Sequence, residues 1–316
     1  MEYKVGVILV NYNQEDFTSK CIDSLLSSSH KNIHINVIDN SNSKENQIQF
    51  KEYYSNKVNI HLMVENLGYV GGINFGFTLV EKIDPEYLLI LNNDTIIDEY
   101  AIERLISCCK IFENKAIVTG KVYHYDNPEV LQDVGSVFSN KKLMLFKRLG
   151  LNELDNGQYD RIDMRDMIDD KFWLFPFKLY KEIGGYSNYF WFNSEQADFA
   201  LRAKGKGYKL IYTPEAKLYH KGSASIGGLN DNPKQAYWTI QSSLILRYLH
   251  LSRWNFFVYY LFIVQSILRT ILKALFYKWN GEKDLMLYAK SKYKGLVYFN
   301  HWILKKHQNS GENPFD

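Results

Sequence analysis

The chain has 316 residues, of which 46% are hydrophobic and 23% are charged. This apolar content is enough for one large core or two smaller ones, so it excludes a disordered chain and predicts one main domain plus an accessory segment. The charge is uneven, because residues 245–316 hold 11 Lys and Arg against 4 Asp and Glu, which makes the tail +7 and the rest −4. A basic, aromatic tail on an acidic body favours an anionic membrane surface and disfavours nucleic acid as a partner.

The cysteines and the N-terminus predict a compartment. Cys21 and the adjacent Cys108 and Cys109 match neither a metal-ligand spacing nor a disulfide framework, which favours a reducing environment. The N-terminal sequence carries an acid at Glu2 and an apolar run only over residues 5–10, which is too short for a signal peptide. We therefore expect a cytoplasmic protein whose first apolar run is a strand.

Apolar runs alternate with amphipathic stretches in the first part of the chain. The predicted strands cover residues 5–10, 33–38, 58–64, 87–91 and 117–122, and the predicted helices cover residues 17–26, 72–81 and 101–112. Alternating β and α units predict an α/β fold with a Rossmann-like, mainly parallel sheet flanked by helices. Ligands bind beyond the carboxyl ends of such strands, which is where Asn11, Asp39, Asn66 and Asp94 fall.

The pattern weakens over residues 123–170, where we predict a variable insertion dominated by polar loops near the site. Regular structure resumes with the apolar run FWLFPFKLYKEIGGYSNYFWF, followed by a helix over SEQADFALRAKGKG and the strand YKLIYT.

The C-terminal tail contains the charge-free stretch WNFFVYYLFIVQSIL, residues 254–268. As a helix it would be about 22 Å long, which is short of a bilayer. Continuing the helix places Gln265, Arg269 and Lys273 on one face and leucine and isoleucine on the other, the pattern of a helix lying in the membrane interface. Residues typical of an interface flank it: Arg253, Trp254, Lys278 and Trp279. The alternative is a core helix of a C-terminal bundle.

Two aspartates at predicted strand ends each allow two interpretations. Asp94, in the stretch LNNDT, can hold a divalent cation and through it two phosphate oxygens, or it can form a turn or helix cap. Asp39 can accept the imide N–H of a uracil or thymine base, or it can form an Asx-turn. The glycines of NLGYVGGIN lack the spacing of a dinucleotide fingerprint, which disfavours a dehydrogenase.

The ordered motifs VGVILVNYN, VIDNSN, ENLGYVGGINFGF, LLILNNDT, IGGYSNYFWFNSEQADFALR and LYHKGSAS resemble glycosyltransferase family 2 over roughly residues 4–225. These are inverting enzymes of the GT-A fold, and the rhamnosyltransferase-like branch is the most similar. The resemblance implies a nucleotide-sugar-binding catalytic domain over residues 1–225 and a helical, membrane-associating segment over residues 226–316.

The resemblance also assigns the donor site. It implies that Asn92 and Asp94 end a D-x-D-like motif, with Asp94 as ligand to Mn²⁺ or Mg²⁺, and that His220 completes the coordination; a lone histidine at a strand end is otherwise a structural residue. The nucleotide sugar is expected to contact backbone and polar groups at the following positions: Val10, Asn11, Tyr12, Asn13, Asp39, Asn66, Gly71, Gly72, Asn74, Asn92 and Asn93.

The acceptor side centres on Glu195-Gln196-Ala197-Asp198, where the family usually has a second acid in place of Gln196. Three readings stay open: Glu195 is the base that deprotonates the acceptor, Asp198 is the base, or transfer activity has been lost. Asp198 and Arg202 are four residues apart, which favours a salt bridge for Asp198 and leaves Glu195 as the preferred base. We expect one or two aromatic residues of the preceding run to touch the acceptor: Trp173, Tyr186, Tyr189, Phe190, Trp191 and Phe192.

The sequence therefore predicts an inverting, metal-dependent transferase that moves a sugar from a UDP- or dTDP-sugar to a hydroxyl of a lipid-linked glycan in cell-surface polysaccharide synthesis. It is expected to be peripheral on the inner face of the cell membrane, and a homodimer is left open. The competing hypothesis, motivated by Gln196, is a non-catalytic subunit that binds a nucleotide or a glycan.

Overall fold

The fold is described from a computed structural model over residues 2–54, 56–222, 232–278 and 284–312. Its first half alternates strands and helices: β1 (Val5–Asn11), α1 (Glu15–Leu26), β2 (Ile33–Asp39), α2 (Lys44–Tyr54), β3 (Asn59–Leu62), α3 (Gly68–Glu81), β4 (Tyr87–Leu91), β5 (Thr95–Ile97), α4 (Ala101–Ile111) and β6 (Ala116–His124). All five predicted strands and all three predicted helices of this half are confirmed. Helix α2 was not predicted, because its apolar stripe is thin and only Gln47, Phe50 and Tyr54 are buried.

The second half adds a β-rich segment and then helices: β7 (Asn127–Asp133), β8 (Ser136–Asn140), β9 (Leu145–Arg148), β10 (Asp163–Met164), β11 (Phe172–Pro176), α5 (Phe177–Ile183), α6 (Glu195–Gly205), β12 (Lys209–His220), α7 (Pro233–His250), α8 (Arg253–Lys278) and α9 (Asp284–Lys305). The predicted boundary between residues 225 and 226, the end of the LYHKGSAS motif and Trp279 lie outside the described residues.

The central sheet has the order β10-β12-β6-β11-β4-β1-β2-β3. β1 is parallel to both β2 and β4, and β2 is parallel to β3, so the carboxyl ends of these four strands share one edge. β11 runs antiparallel to β4 and β6, which brings the start of β11 to that same edge. The predicted α/β sheet flanked by helices is confirmed, with an antiparallel strand at its centre.

The segment expected to be dominated by loops contains β-structure instead. β7 pairs antiparallel with β6, and β8 and β9 form a separate hairpin. Buried ion pairs anchor this segment to the sheet, including Lys171 Nζ to Asp133 Oδ2 at 2.7 Å and Lys121 Nζ to Asp155 Oδ2 at 2.7 Å. The sequence prediction was wrong here because polar and charged side chains inside the fold interrupt the apolar alternation that marks a strand.

Helix α3 packs closely on β1 and β2 through a small residue. A Cβ at Gly76 would lie 2.5 Å from Cγ2 of Ile8 and 3.1 Å from Cδ1 of Ile38. This close contact sets the position of the α3 N-terminus, and with it the glycine loop, above the strand ends.

The C-terminal helices pack directly on the sheet domain. Leu244 and Ile245 of α7 are fully buried in the same hydrophobic cluster as Phe199 of α6 and Trp173 of β11. α9 adds the fully buried Phe299 to this cluster. The tail therefore completes the core of the main domain.

Helix α8 is longer than the charge-free run from which its length was predicted. It has 26 residues, about 39 Å at 1.5 Å per residue. Its part from Arg253 to Phe276 is long and apolar enough to cross a membrane by length and composition, and only 17% of its most apolar window is buried. The apolar side is divided: Ile267 packs into the bundle, whereas Leu268, Leu272 and Leu275 are exposed.

Candidate active site

The candidate nucleoside pocket is built around Asp39, the last residue of β2. The side chain is fully buried, and Oδ1 accepts hydrogen bonds from Nδ2 of Asn11 and from the N–H of Ser41, both at 3.0 Å. The second bond is the Asx-turn contact anticipated for this residue. The other oxygen, Oδ2, has no hydrogen-bond partner within the described parts of the chain. A buried acceptor held in this way is suited to a donor such as an imide N–H.

Asn11 and Asn93 support this pocket from below. Oδ1 of Asn11 accepts from Oγ1 of Thr18 at 2.8 Å, and Nδ2 of Asn93 donates to the same hydroxyl oxygen at 2.8 Å and to Oδ1 of Asn11 at 3.3 Å. The resemblance assigns the backbone of residues 10–13 and Asn93 to the nucleotide, and these assignments stay predictions. The two asparagine side chains bond within the protein, where they fix the strand ends that carry Asp39 and Asp94.

The rim of the pocket is formed by the end of β1 and the residues that follow it. Val10 is half-buried, and Tyr12 is exposed, with its hydroxyl accepting from Nδ2 of Asn42 at 3.2 Å. Asn13 has a φ of +53°, and its N–H donates to Oγ of Ser41 at 2.8 Å. Asn13 also lines a groove of about 810 Å³ between α1 and α2, which adjoins the pocket but contains neither Asp94 nor Glu195.

Contacts within the protein shape the glycine loop at the start of α3. Oδ1 of Asn66 accepts from the N–H of Gly68 at 2.8 Å, which orients the first turn of the helix. A Cβ at Gly72 would lie 3.0 Å from Cγ2 of Val10, and a Cβ at Gly71 would lie 2.8 Å from Cβ of Leu67. Gly72 therefore allows the helix to approach β1.

The side chain of Asn74 makes hydrogen bonds within the protein. Its Nδ2 donates to the carbonyl oxygen of Tyr186 and to Oδ1 of Asn188, both at 2.9 Å, and its Oδ1 accepts from the N–H of Tyr186 at 2.8 Å. The side chain thus holds α3 to the loop that precedes α6. These hydrogen bonds use both N–H groups of the amide and one lone pair of its oxygen, and the contact of Asn74 with base, ribose or diphosphate stays a prediction.

The predicted metal ligands come together because β5 pairs with the end of β12. Thr95 of β5 lies opposite His220, which places the imidazole beside Asp94, with Nε2 3.1 Å from Oδ1. Residues 95–97 form a strand, so the alternative of a helix cap at Asp94 is excluded. Asn92 is a weaker neighbour, with Nδ2 3.4 Å from Nε2 of His220.

The chemistry of this pair fits a divalent cation. Nδ1 of His220 lies 2.5 Å from Oε1 of Gln132; because an amide oxygen only accepts, the imidazole must donate from Nδ1. The lone pair of a neutral ring then lies at Nε2 and faces the Asp94 carboxylate, an arrangement that needs a proton or a cation between the two acceptors. Adjacent ligands of an octahedral Mg²⁺ are about 3 Å apart, which matches the observed spacing. Although burial alone would raise the pKa of Asp94, its contacts with His220 hold that pKa below its ordinary value.

Glu195 begins α6 on the other side of the cleft. It follows Asn193 and Ser194, two consecutive non-glycine residues with φ of +68° and +69°. Such conformations are costly and persist where the surrounding structure enforces them. Glu195 is 3% exposed, and burial, followed by the charge of Asp170, raises its pKa well above the ordinary value.

Unpaired polar atoms cluster around Glu195. In the part of the chain that the structure describes, Oε2 of Glu195, Oε1 of Gln196 and Nδ2 of Asn193 are buried without a hydrogen-bond partner. One buried donor and two buried acceptors within four consecutive residues are unusual, because buried polar groups are normally paired. Their presence here suits a polyhydroxylated ligand.

Both carboxylate oxygens of Asp198 have side-chain partners. Oδ2 accepts from Nε of Arg202 at 2.8 Å, and Oδ1 lies 2.7 Å from Nε2 of His250 on α7. Burial opposes ionisation, but the hydrogen bond from His250 and the charge of Arg202 hold the pKa of Asp198 below its ordinary value. These contacts favour a role in anchoring α7, which the spacing to Arg202 had indicated in part.

The aromatic run before α6 is mostly core. Trp173 and Phe190 are buried in the main cluster. Trp191 is half-buried and stacks on Trp238 with ring centroids 6.4 Å apart, and a Cβ at Gly68 would lie 2.7 Å from its ring. Trp191 therefore joins the glycine loop at the start of α3 to α7.

One functional candidate escaped the sequence analysis. Asp170 lies two residues before the start of β11 and is 5% exposed. The backbone N–H of Asn92 donates to the carbonyl oxygen of Lys171 at 3.3 Å, so Asp170 lies at the strand edge that carries the donor site. The available signal was an Asp-Asp pair, residues 169 and 170, shortly ahead of an apolar strand, comparable to Asp94 shortly after β4.

Comparisons with known proteins identify the family of the chain. Residues 6–184 match the family described as glycosyl transferase family 2. An uncharacterised glycosyltransferase of Nostoc sp. is 27% identical over 126 residues, which cover 39% of this chain and 37% of that protein. The glycosyltransferase GlyA of Streptococcus pneumoniae is 28% identical over 128 residues, which cover 40% of this chain and 18% of that protein.

Solved structures show the same fold at low identity. The crystal structure of GalNAc-T7 with UDP, GalNAc and Mn²⁺ aligns with a TM-score of 0.57 at 14% identity, covering 69% of this chain and 44% of that one. The structure of S. aureus TarS aligns with a TM-score of 0.51 at 14% identity, covering 79% and 40%. The alignments thus span less than half of each of these relatives. Because the family match extends over more than half of the sequence, this chain belongs to glycosyltransferase family 2, and its sheet has the GT-A fold.

Proposed function

We propose that the chain is an inverting glycosyltransferase that moves a sugar from a UDP- or dTDP-sugar to a hydroxyl of a glycan in cell-surface polysaccharide synthesis. The rhamnosyltransferase-like branch is the proposed relation within the family. The observation that carries the proposal is the shared strand edge, which holds both the Asp94–His220 pair and an oxygen of Asp39 that has no partner among the residues described. The GalNAc-T7 crystal structure, which holds UDP and Mn²⁺, supports the same donor chemistry.

In this proposal each protein group has a defined task. Oδ2 of Asp39 accepts the imide N–H of the base, and Asn11 and Ser41 hold the carboxylate in place through its other oxygen. Asp94 and His220 would hold Mn²⁺ or Mg²⁺, which when bound neutralises the departing diphosphate. Glu195 lies on the acceptor side and remains the proposed catalytic acid–base group.

The donor proposal is tested by a thermal-shift screen with UDP, dTDP and GDP, each with Mn²⁺ or with EDTA, followed by assays for nucleotide release. Ligands that bind only the native state raise its stability, so UDP or dTDP with Mn²⁺ should raise the melting temperature most. Asp94→Asn should retain the fold and lose the Mn²⁺-dependent part of the shift and of the turnover. A variant with unchanged Mn²⁺ dependence would refute the metal assignment.

The second candidate is a non-catalytic subunit that binds a nucleotide or glycan. It is favoured by Gln196, which cannot act as a base, and by the raised pKa of Glu195, because a protonated carboxyl cannot accept a proton. This candidate predicts binding of UDP or dTDP without nucleotide release from any sugar donor.

The main proposal also includes the division of the chain into a catalytic domain over residues 1–225 and a helical segment over residues 226–316.

We also propose that α8 lies on an anionic membrane surface and presents the chain to a lipid-linked acceptor. Its exposed apolar ridge includes Phe257, Leu261, Leu268, Leu272 and Phe276. A groove of about 320 Å³ between α8 and α9 borders this ridge and is lined in part by polar and basic side chains: Gln265, Ser266, Arg269, Thr270 and Lys273. Apolar side chains beside basic ones are suited to the headgroup boundary of an anionic bilayer.

Deleting the tail would expose the core against which α7 packs, so point variants test this proposal better. Leu261→Ser combined with Leu272→Ser should weaken flotation of the full chain with phosphatidylglycerol vesicles while leaving nucleotide binding intact. The exposed Leu154→Ser on the insertion is the matched control. Equal flotation of the ridge variant and the control would contradict the membrane assignment.

A further inference from the structure

A second cluster of potential metal ligands lies away from the proposed donor site, at the opposite edge of the sheet. Glu2 precedes β1, His30 lies between α1 and β2, and Glu103 is in the first turn of α4. The ligand atoms of these side chains, one imidazole nitrogen and two carboxylate oxygens, all lie within 4.8 Å of one another. Because β1 and β2 are parallel, Glu2 and His30 stand at the amino ends of their strands, whereas the proposed donor site lies at the carboxyl ends.

The backbone holds the imidazole of His30 in one orientation. The side chain is 4% exposed, and its Nε2 lies 2.7 Å from the carbonyl oxygen of Tyr3. A carbonyl oxygen only accepts, so the ring donates from Nε2. The lone pair of the neutral ring is then at Nδ1, which lies 3.2 Å from Oε1 of Glu2. A histidine that binds a metal through one nitrogen commonly donates from the other to a backbone carbonyl, which is the arrangement of His30.

The two glutamates supply the charge that a divalent cation requires. Oε1 of Glu2 accepts from the N–H of Lys31 at 2.7 Å, which holds this carboxylate beside the imidazole. Glu103 reaches the cluster from a different element of the fold. A protonated His30 would form an ordinary ion pair with Glu2, but it would leave one of the two negative charges of the cluster without compensation. One divalent cation bound to a neutral imidazole compensates both.

The donor set and its spacing fit Zn²⁺. This ion binds imidazole nitrogen and carboxylate oxygen at about 2.0–2.2 Å, and tetrahedral ligands at that distance lie about 3.3 Å apart. The 3.2 Å between Nδ1 of His30 and Oε1 of Glu2 matches this spacing. Because all ligand atoms lie within 4.8 Å of one another, the widest pair has to close by about 1.5 Å at most. Rotation of a solvent-accessible glutamate side chain covers that distance, and water can supply the fourth ligand.

We propose that Glu2, His30 and Glu103 form a Zn²⁺ site that ties the residues before β1 to the α1–β2 connection and to α4. The role of the site is structural, because its ligands lie at the edge of the sheet opposite the candidate active site. It shares no ligand with the proposed cation site of Asp94 and His220. The proposal therefore does not depend on the transferase function.

The test measures Zn²⁺ binding to the untagged full chain at neutral pH by isothermal titration calorimetry, together with thermal unfolding with Zn²⁺ and with EDTA. Both measurements use Asp94→Asn as the background, because this substitution removes the carboxylate of the other proposed cation site. One equivalent of Zn²⁺ should bind in this background. Saturating Zn²⁺ should raise the melting temperature by about 2 °C or more, because a ligand that binds only the native state stabilises it.

Two ligand variants in the same background assign the bound ion to the cluster. His30→Gln removes the nitrogen ligand and should weaken Zn²⁺ binding at least about 10-fold, since the loss of even an outer hydrogen-bond partner of a ligand costs that much. His30 is buried, so Glu103→Gln provides the same test at a solvent-accessible position. It should weaken Zn²⁺ binding to a similar extent while the melting temperature in EDTA stays close to that of the background. Glu129→Gln, at an exposed glutamate of β7, is the matched control and should bind Zn²⁺ as the background does.

The ordinary ion pair between His30 and Glu2 predicts different results. It binds no Zn²⁺, so a background protein whose melting temperature is the same in Zn²⁺ and in EDTA would overturn the proposal. Zn²⁺ binding that is equally tight in Glu103→Gln, His30→Gln and the control would also overturn it, because the ion would then lie elsewhere. Mg²⁺ should give a smaller shift than Zn²⁺, since an imidazole ligand suits zinc and magnesium favours oxygen. An equal shift with both ions would contradict the nitrogen ligand.

Discussion

Replacing Asp39 with asparagine tests the nucleoside pocket at a single atom. Asn11 Nδ2 and the Ser41 N–H both donate to one oxygen of Asp39, and they would continue to do so with the amide oxygen of the substituted side chain. The new amide nitrogen must then occupy the place of Oδ2, the buried oxygen without a partner among the described residues. A donor would therefore face the imide N–H of the base in place of an acceptor.

The magnitude follows from the loss of one hydrogen bond to a charged group. Such bonds contribute about 1.5 to 3 kcal/mol, and leaving the imide N–H without an acceptor in a buried pocket costs at least that much binding free energy. The Kd for UDP should therefore rise about 10- to 150-fold. Folding should be little affected, because both internal hydrogen bonds to this side chain are retained.

Isothermal titration calorimetry of UDP in the presence of Mn²⁺ measures the effect, and thermal unfolding without ligand checks the fold. Asp98→Asn is the control, since Asp98 pairs with Arg104 at 2.9 Å between β5 and α4. If Asp39→Asn binds UDP within twofold of wild type while Asp98→Asn does the same, the base-recognition argument is wrong.

Three further outcomes are expected. Gly76→Ala forces a methyl group to within 2.5 Å of a β1 side chain. In chemical denaturation it should lower the free energy of unfolding by about 1 to 3 kcal/mol. An unchanged denaturation midpoint would contradict the close packing of α3. Burial would raise the pKa of Asp198, but the hydrogen bond from His250 and the charge of Arg202 lower it in the folded protein. The stabilisation that Asp198 contributes is therefore present above its unfolded pKa and is lost as the pH falls through its folded pKa. Asp198→Asn should thus flatten the acid side of the stability curve, and a parallel curve would refute this. Gln132→Leu removes the acceptor that orients His220 and should weaken Mn²⁺ binding about 10- to 100-fold in a metal titration. An unchanged Kd for Mn²⁺ would mean that other groups orient the imidazole.

Local patterns were sufficient for much of the fold. The strand over residues 87–91 was predicted to the residue because five consecutive buried apolar side chains are followed at once by polar ones. Helices α1 and α4 were predicted because each has a clear apolar stripe. The segment over residues 127–170 was not, because its strands are anchored by Lys121, Lys171 and Asp133, whose partners lie 34 to 38 residues away along the chain.

The candidate site likewise contains residues that local sequence predicts and contacts that depend on distant parts of the chain. Asp39 and Asp94 were predicted because strand ends of a parallel sheet form a common edge, a rule that needs only local sequence. The loss of the acid at position 196 was also visible in the sequence. The hydrogen bonds of Asn74 within the protein were not predicted, because its partners in the loop before α6 are 112 and 114 residues distant.

The sequence by itself determined the family, the alternating α/β framework and the aspartates at its strand ends, because these depend on periodicity and on motifs that are contiguous in the chain. Tertiary structure decided which acids are free and which are neutralised. Asp198 lies one helical turn from Glu195, yet His250 of α7 and Arg202 engage it, while Asp170 reaches the edge of the site only through the antiparallel pairing of β11 with β4. The protonation state of a buried carboxyl depends on partners brought together by folding, and chain order does not specify them.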